Sequence, residues 1–286
     1  MTWRNILINK MKEIKVAITG ASGFIGRYLV SKLRKNKDLQ LILFDRDRAN
    51  LLDYKSLKSF VVDANIVIHL AGVNRESDIN LLQINTLGTQ SLLEAIRCYS
   101  PASRLIYIST FQVYNPNNIY GLSKFFAEKL VEYYCKKEYL KSTILRLSNV
   151  YGPGCRPFYN SVIATFINQI KNEQPLSVTG DGEQKRDYVY ISDVVKAIEK
   201  TISYTQEKPI ERFNIASGAL VSLNSLINIL KKCYLGEIII NFQTNQDPNN
   251  NISSTKDVSS AYKKLKWVPL VDIEKGLKLT FENIDL

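Results

Sequence analysis

Apolar positions in the first half of the chain follow two alternating patterns. Short runs rich in β-branched residues, over 14–19, 39–45, 65–70, 103–109 and 142–147, predict buried strands. Between them the apolar residues recur at helical spacing, as at 24, 25, 28, 29, 30 and 33 within 24–35. Strand then helix, repeated, predicts an α/β fold with a doubly wound parallel sheet and helices on both faces. The stretch from Asp45 to Asn65 is short for a further helix, strand and helix, so a third strand around 49–52 is expected to be vestigial. After Tyr151 the run Gly152-Pro153-Gly154-Cys155-Arg156-Pro157 predicts a loop, and the elements beyond it shorten. The expected organisation is a dinucleotide-binding domain over 13–150, with some later segments returning to it. Residues 151–286 are expected to form mainly a smaller substrate-binding lobe over the carboxyl ends of the strands. Residues 1–12, which include a second methionine at Met11, are expected to lie outside the fold, and 245–251 to be a loop.

One turn carries chemistry. Gly20-Ala21-Ser22-Gly23-Phe24-Ile25-Gly26 stands between the first strand and the first helix. The first glycine permits a tight turn, the second lets backbone approach a pyrophosphate, and the third lets helix and strand pack closely. The helix N-terminus then offers free N–H groups to phosphates. This makes the sheet Rossmann-type and predicts a nicotinamide dinucleotide along Gly20, Ser22, Gly23, Phe24, Ile25 and Gly26. Asp45, at the end of the second strand, suits the ribose 2′-OH of NAD(H). Arg46 and Arg48 follow at once and suit the 2′-phosphate of NADP(H). Both cofactors stay open, with NAD(H) ahead because the carboxylate repels the extra phosphate.

Composition narrows the classes. In 286 residues, 45% hydrophobic and 23% charged, no apolar run reaches the ~20 residues of a membrane span. The four cysteines are scattered and the N-terminus lacks a secretory pattern, so a cytoplasmic protein is expected. A single histidine, His69, argues against a histidine metal site or a Ser-His-Asp triad, and no metal is expected. The net charge of +11 is spread along helix faces without a compact basic run, which argues against nucleic acid and for a field that attracts an anionic small substrate.

Six Tyr-x-x-x-Lys pairs occur in this tyrosine-rich chain, so the spacing alone means little. Position separates them. Only Tyr120 and Lys124 follow the strand ending in Ser109-Thr110 by a short loop, and reactive groups gather at the carboxyl ends of parallel strands. A lysine ammonium beside the phenol is expected to lower its pKa toward working pH, with the Thr110 hydroxyl holding a carbonyl or alcohol oxygen nearby.

These motifs, in this order, resemble the extended short-chain dehydrogenases/reductases that act on nucleotide sugars as epimerases, dehydratases and reductases. The resemblance spans about 14–280. It adds His69-Leu70-Ala71-Gly72, Asn85-Thr86-Leu87-Gly88-Thr89, Tyr120-Gly121-Leu122-Ser123-Lys124, Arg146–Pro153, Gly180-Asp181-Gly182 and Arg186–Asp193. It implies catalysis by Thr110, Tyr120 and Lys124, and cofactor contacts also from Leu70, Ala71, Gly72, Asn85, Tyr120 and Lys124. It implies substrate contacts from Thr110, Asn149 and Arg186, and a homodimer paired through helices near 81–98 and 120–137. His69 is read as packing, and the Phe125, Phe126, Leu130 stripe as core or dimer interface.

Two departures narrow the activity. Dehydratases of the group place Asp-Glu directly after the catalytic Thr, and here Phe111 and Gln112 stand there. The 4-epimerases usually carry a second diphosphate-binding Arg shortly before the segment that begins here at Asp257, and Asp247–Asn251 offers none. His69–Arg75 and Cys155–Phe166, the latter holding Tyr159 and Asn160 as further substrate contacts, are similar to the reductase domain of enzymes making UDP-N-acetyl-L-fucosamine. Those carry an additional C-terminal cupin domain, which is expected to be missing here. The expectation is an NAD(P)-dependent oxidoreductase at C4 of a nucleotide-diphosphate sugar, foremost a 4-keto reductase. A 4-epimerase with tightly bound NAD comes second and a non-catalytic NAD(P)-binding regulator is remote.

Overall fold

The computed structural model describes residues 13–159, 161–234, 236–244 and 255–283. The expected extension over 1–12, the loop over 245–251 and Asn160 fall outside them. The chain runs β1 (Ile14–Thr19), α1 (Phe24–Leu33), β2 (Leu39–Leu43), α2 (Lys58–Val61) and β3 (Ile66–His69). Next, α3 (Asp78–Leu82) passes through a π turn (Gln83–Leu87) into α4 (Gly88–Tyr99). β4 (Arg104–Thr110), a 3₁₀ turn (Phe111–Tyr114), α5 (Ile119–Lys136) and β5 (Lys141–Leu147) follow. The second half has β6 (Asn149–Tyr151), α6 (Val162–Lys171), β7 (Leu176–Thr179), β8 (Lys185–Tyr190) and α7 (Ile191–Ser203). It ends with β9 (Ile210–Ile215), β10 (Leu220–Ser222), α8 (Leu223–Cys233), β11 (Ile240–Gln243), α9 (Ser259–Leu265) and α10 (Ile273–Asn283).

Six strands form one parallel sheet in the order β2-β1-β3-β4-β5-β9. The continuous apolar runs are explained by burial on both faces. Val16, Ile18, Ile66, Ile68, Ile106 and Ile108 join one core, with α1, α6 and α7, while Ala17, Val67, Leu105 and Tyr107 join the other, with α4 and α5. Residues 49–52 turn instead of pairing, so β2 is an edge strand and the vestigial third strand is absent among the described residues. β2 is also two residues shorter than read. Phe44 N–H still donates to Ile18 (2.9 Å), and then Asp45 turns the chain.

The sixth strand, β9, comes from the second half of the chain and pairs with β5 throughout its length. The remaining strands make two small sheets, β10-β8-β6 and β11-β7. Buried Asp193 at the start of α7 accepts the N–H groups of Leu270 and Val271, and Trp267 donates to its carbonyl, which ties the C-terminal segment to the core. No described helix is long and apolar enough to cross a membrane.

Candidate active site

The glycine turn closes β1 onto α1. Gly20 has φ +69°, and a Cβ on it would lie 2.6 Å from Ala71 N, so only glycine lets the turn touch the segment after β3. A Cβ on Gly26 would overlap the Gly20 carbonyl oxygen, which is why the helix can start so close to the turn. Gly23 caps α1 without a side-chain hydrogen bond, and the first turn holds no acidic residue. Its N–H groups and positive dipole end are therefore left for an anion. Ser22 is exposed there, and Phe24 and Ile25 are half-buried. Asp45 and Arg46 are exposed past β2. The Asp45 carboxylate accepts the Asp47 N–H at 3.0 Å and lies 3.4 Å from Arg48 Nε.

His69 is a fully satisfied core residue. Ala71 N–H donates to Thr19 Oγ1 (3.1 Å), Thr19 lies 2.7 Å from His69 Nδ1, and His69 Nε2 lies 3.1 Å from Thr89 Oγ1. Thr89 in turn donates to the Asn85 carbonyl at 2.6 Å. Only the neutral tautomer protonated on Nε2 satisfies this chain of donors and acceptors. Burial accordingly pushes the imidazole down to about 3, with the Lys124 charge adding to the shift.

Asn85 sits in the π turn, a helix form frequent at functional sites, and is 1% exposed. Its amide accepts from Val73 N–H and donates to the Val73 carbonyl, both at 2.9 Å, and donates to Ser123 Oγ at 3.0 Å. Ser123 donates on to the Tyr120 carbonyl. The amide of Asn85, expected as a cofactor contact, thus ties Val73, next to Gly72, to Ser123 on α5.

Tyr120 stands in that first turn and reaches the Thr110 hydroxyl across the end of β4. Lys124 departs from expectation. Its ammonium is buried, donates to the Ile108 carbonyl at 2.8 Å and lies 4.3 Å from the Tyr107 ring centre. Burial pushes Tyr120 up to about 12, opposed by its hydrogen bond with Thr110, and pushes Lys124 down to about 7, opposed by Glu128. The expected lowering of the phenol's pKa is therefore reversed, because desolvation outweighs an ammonium that is engaged elsewhere.

Beside Tyr120 opens a cleft of about 660 Å³. It brings Thr110, Tyr120, Asn149, Tyr159 and Arg186 together, residues spread over 77 positions from Thr110 to Arg186 (both ends counted). Asn149 is fixed by donating to the Asp187 carbonyl at 2.9 Å. Polar cleft residues that the sequence reading did not single out include Ser177, Thr179 and Gln184. Ser177 and Thr179 alternate on β7, and Gln184, just before β8, precedes Arg186 and Tyr188 at the same spacing. That period of two was the available signal. The Gln184 Oε1 and Tyr188 Oη atoms are buried with no hydrogen-bond partner among the described residues, an uncommon state for a wall with no ligand to serve. Asp187, between them, is a structural clamp that accepts from Ser148, Ser217 and Gly218.

Comparison with known proteins agrees with this arrangement. A dTDP-4-dehydro-6-deoxyglucose reductase of Escherichia coli is 30% identical, over 94% of this chain and 97% of its own. A UDP-2-acetamido-2,6-beta-L-arabino-hexul-4-ose reductase of Pseudomonas aeruginosa is 34% identical over 66% of this chain and half of its own length. Among solved structures, a UDP-glucose 4-epimerase of Thermotoga maritima with UDP-glucose superposes with a TM-score of 0.84 at 28% identity, covering 94% of this chain and 98% of that one. A Pseudomonas aeruginosa protein, RMD, complexed with NADPH gives 0.82 at 25%, covering 94% and 98%. The model of the NAD dependent epimerase/dehydratase family matches residues 16–216, from β1 and the glycine turn through the cleft to the end of β9. With fold, turn and cleft matched along that whole span, this chain is an enzyme belonging to the NAD dependent epimerase/dehydratase family, within the extended short-chain dehydrogenases/reductases.

Proposed function

We propose that this enzyme reduces the 4-keto group of a nucleotide-diphosphate sugar with NAD(H) or NADP(H). The observation that carries the reading is the Tyr120 phenol beside Thr110, in one cleft with Asn149 and Arg186. The dinucleotide fits the residues present, since Gly20 and Gly26 leave space a Cβ would fill and the α1 N-terminus is free of a side-chain cap. When bound, it supplies the hydride. Leu70, Ala71 and Gly72 border its site, and Asn85 ties the adjoining Val73 to α5.

Every other part falls to side chains. Thr110 orients the sugar O4, and Tyr120 delivers the proton that the carbonyl oxygen gains as the carbon is reduced. Burial pushes the Tyr120 phenol up, which favours its protonated, donating form. Lys124 fixes the β4 end through Ile108. The guanidinium of Arg186 and the amide of Asn149 take the diphosphate. Phe111 and Gln112 have no ionisable group for dehydration. Under this reading the six-stranded sheet is the cofactor half and the small sheets with the cleft wall are the substrate half. The free thiols fit a reducing, cytoplasmic setting. Two copies pair through α4 and α5, where Phe126 on α5 and Leu87, at the end of the π turn before α4, are exposed, and light scattering giving a monomer would rule that pairing out.

A 4-epimerase is the second reading, supported by the likeness to the Thermotoga maritima enzyme. One experiment separates them. The protein is incubated with NADH or NADPH and nucleotide 4-keto sugars, following absorbance at the nicotinamide band and product mass. Stoichiometric cofactor consumption supports the reductase. Interconversion of 4-hydroxy sugars without net cofactor change supports the epimerase.

A further inference from the structure

Three successive residues at the end of β4 are tied to three turns of α5. The Ile108 carbonyl accepts from Lys124 Nζ at 2.8 Å, the Ser109 hydroxyl donates to Glu128 Oε1, and Thr110 meets Tyr120. Tyr120, Lys124 and Glu128 recur every fourth residue, so one face of the helix carries all three onto the strand. Thr110 and Tyr120 line the cleft, whereas the other two ties do not open on it. Lys124 and Glu128 are 6% and 3% exposed. The reacting contact therefore sits on top of two buried ones, and their lengths set how Thr110 stands against the phenol.

Glu128 is itself held from two further strands. Arg146 on β5 grips it as a fork, and Arg212 on β9 lies 3.9 Å from Oε2. Around the Lys124 ammonium stand the Tyr107 ring of β4, the neutral His69 of β3, and Tyr120 and Glu128 of its own helix. Glu128 is the carboxylate of that group, and its charge opposes the burial that pushes Lys124 down to about 7. The charge matters to turnover. Once Tyr120 has given up its proton it is a buried phenolate, which a cation one turn along the helix stabilises. We propose that Glu128 is a positioning residue for the reaction: through Ser109 it holds Thr110 in register with Tyr120, and through its charge it keeps Lys124 an ammonium on the Ile108 carbonyl. The proposal rests on the roles given above to Thr110, Tyr120 and Lys124 and adds the buried group that sets their geometry and charge.

Two variants separate the two effects. Glu128→Gln keeps the shape and an acceptor for Ser109 but removes the charge, and Ser109→Ala keeps the charge but removes the tie. NMR of the protein with lysine labelled at the ε-carbon follows ionisation against pH, the Lys124 resonance being the one lost in Lys124→Arg. The pH profile of kcat/KM is taken in parallel, with circular dichroism confirming the fold at each pH. In Glu128→Gln the Lys124 titration should fall by about one pH unit or more, and the high-pH limb of kcat/KM should move down with it. Glu128→Asp, which retains the charge, should return both toward the wild type. Ser109→Ala should lower kcat on the order of 10-fold with KM nearly unchanged and the limb in place, as expected for a misplaced reacting pair. A Lys124 titration unmoved in Glu128→Gln, or a normal kcat in Ser109→Ala, would overturn the proposal. So would a titration that falls while the limb stays put, since the charge would then be idle in turnover. If Glu128→Gln does not fold, kcat in Ser109→Ala still decides. If the wild type turns over no nucleotide sugar, the parent reading fails, and the lysine titration still decides whether Glu128 sets the charge of Lys124.

Discussion

Replacing Glu128 by Ala should cost this enzyme more stability than any exposed ion pair could. Glu128 is 3% exposed on α5 and collects three partners from neighbouring strands. Arg146 on β5 meets it as a fork, Nε to Oε1 at 3.0 Å and Nη2 to Oε2 at 2.6 Å, and Ser109 on β4 donates to Oε1. Arg212 on β9 lies 3.9 Å from Oε2. Removing the carboxylate strands a guanidinium whose side chain is 18% exposed, against 4% for Glu128. Losing one partner of a buried pair costs ~3–5 kcal/mol, and the low end applies because Arg146 keeps some solvent and the Tyr114 ring, 4.6 Å away. About 3 kcal/mol at the midpoint corresponds to a fall in Tm of roughly 5 °C for a chain of 286 residues. Urea unfolding and calorimetry of Glu128→Ala, Arg146→Met and Glu128→Leu/Arg146→Met form the assay. The double variant should recover most of the loss, since an apolar pair of similar volume leaves no buried charge. A loss under about 1 kcal/mol in Glu128→Ala, or simple additivity in the double variant, would refute the claim that this pair is mutually compensating.

The remaining predictions concern chemistry and pH. Tyr120→Phe should lower kcat on the order of 10²–10⁴-fold with both ligands still bound, whereas Tyr133→Phe, in an exposed Tyr-x-x-x-Lys pair, should leave the rate near normal; retained turnover in the former would remove Tyr120 from catalysis. His69 is the only histidine and is pushed down to about 3, so below pH 6.5 the unfolded chain gains a proton that the native state refuses. Stability should then fall by up to about 1.4 kcal/mol per pH unit from 6.5 toward 5, above the range of ordinary carboxylates, and urea midpoints that stay flat across that window would contradict the buried neutral imidazole. Asp45→Ala should shift preference from NAD(H) toward NADP(H) within about tenfold, since the carboxylate and its Arg48 partner are exposed. Dissociation constants favouring NADPH in the wild type, and weakened by Arg46→Ala, would show instead that the arginines govern the choice.

What the chain announces locally is what a few adjacent residues can decide. The apolar runs of β1, β3, β4 and β5 placed four strands nearly to the residue, because burial on both faces leaves no room for polar alternation. Gly20 and Gly26 were readable because the turn and the close helix need the absence of a side chain within one short stretch. Tyr120 was distinguishable from five other Tyr-x-x-x-Lys pairs only by its place after β4, which is still a local fact. The rest depended on the order of strands in the sheet. β9 could not be assigned to the central sheet by pattern, since its partner β5 lies more than 60 residues earlier. Arg75 and Phe158 meet across 83 positions, a contact that no periodicity encodes. Lys124 sits on the helical face with Tyr120, as its spacing requires, yet the Ile108 carbonyl and the Tyr107 ring under α5 capture its ammonium. Spacing along a helix sets which face a side chain occupies. The packed surface opposite that face decides its partner, its desolvation and therefore its proton.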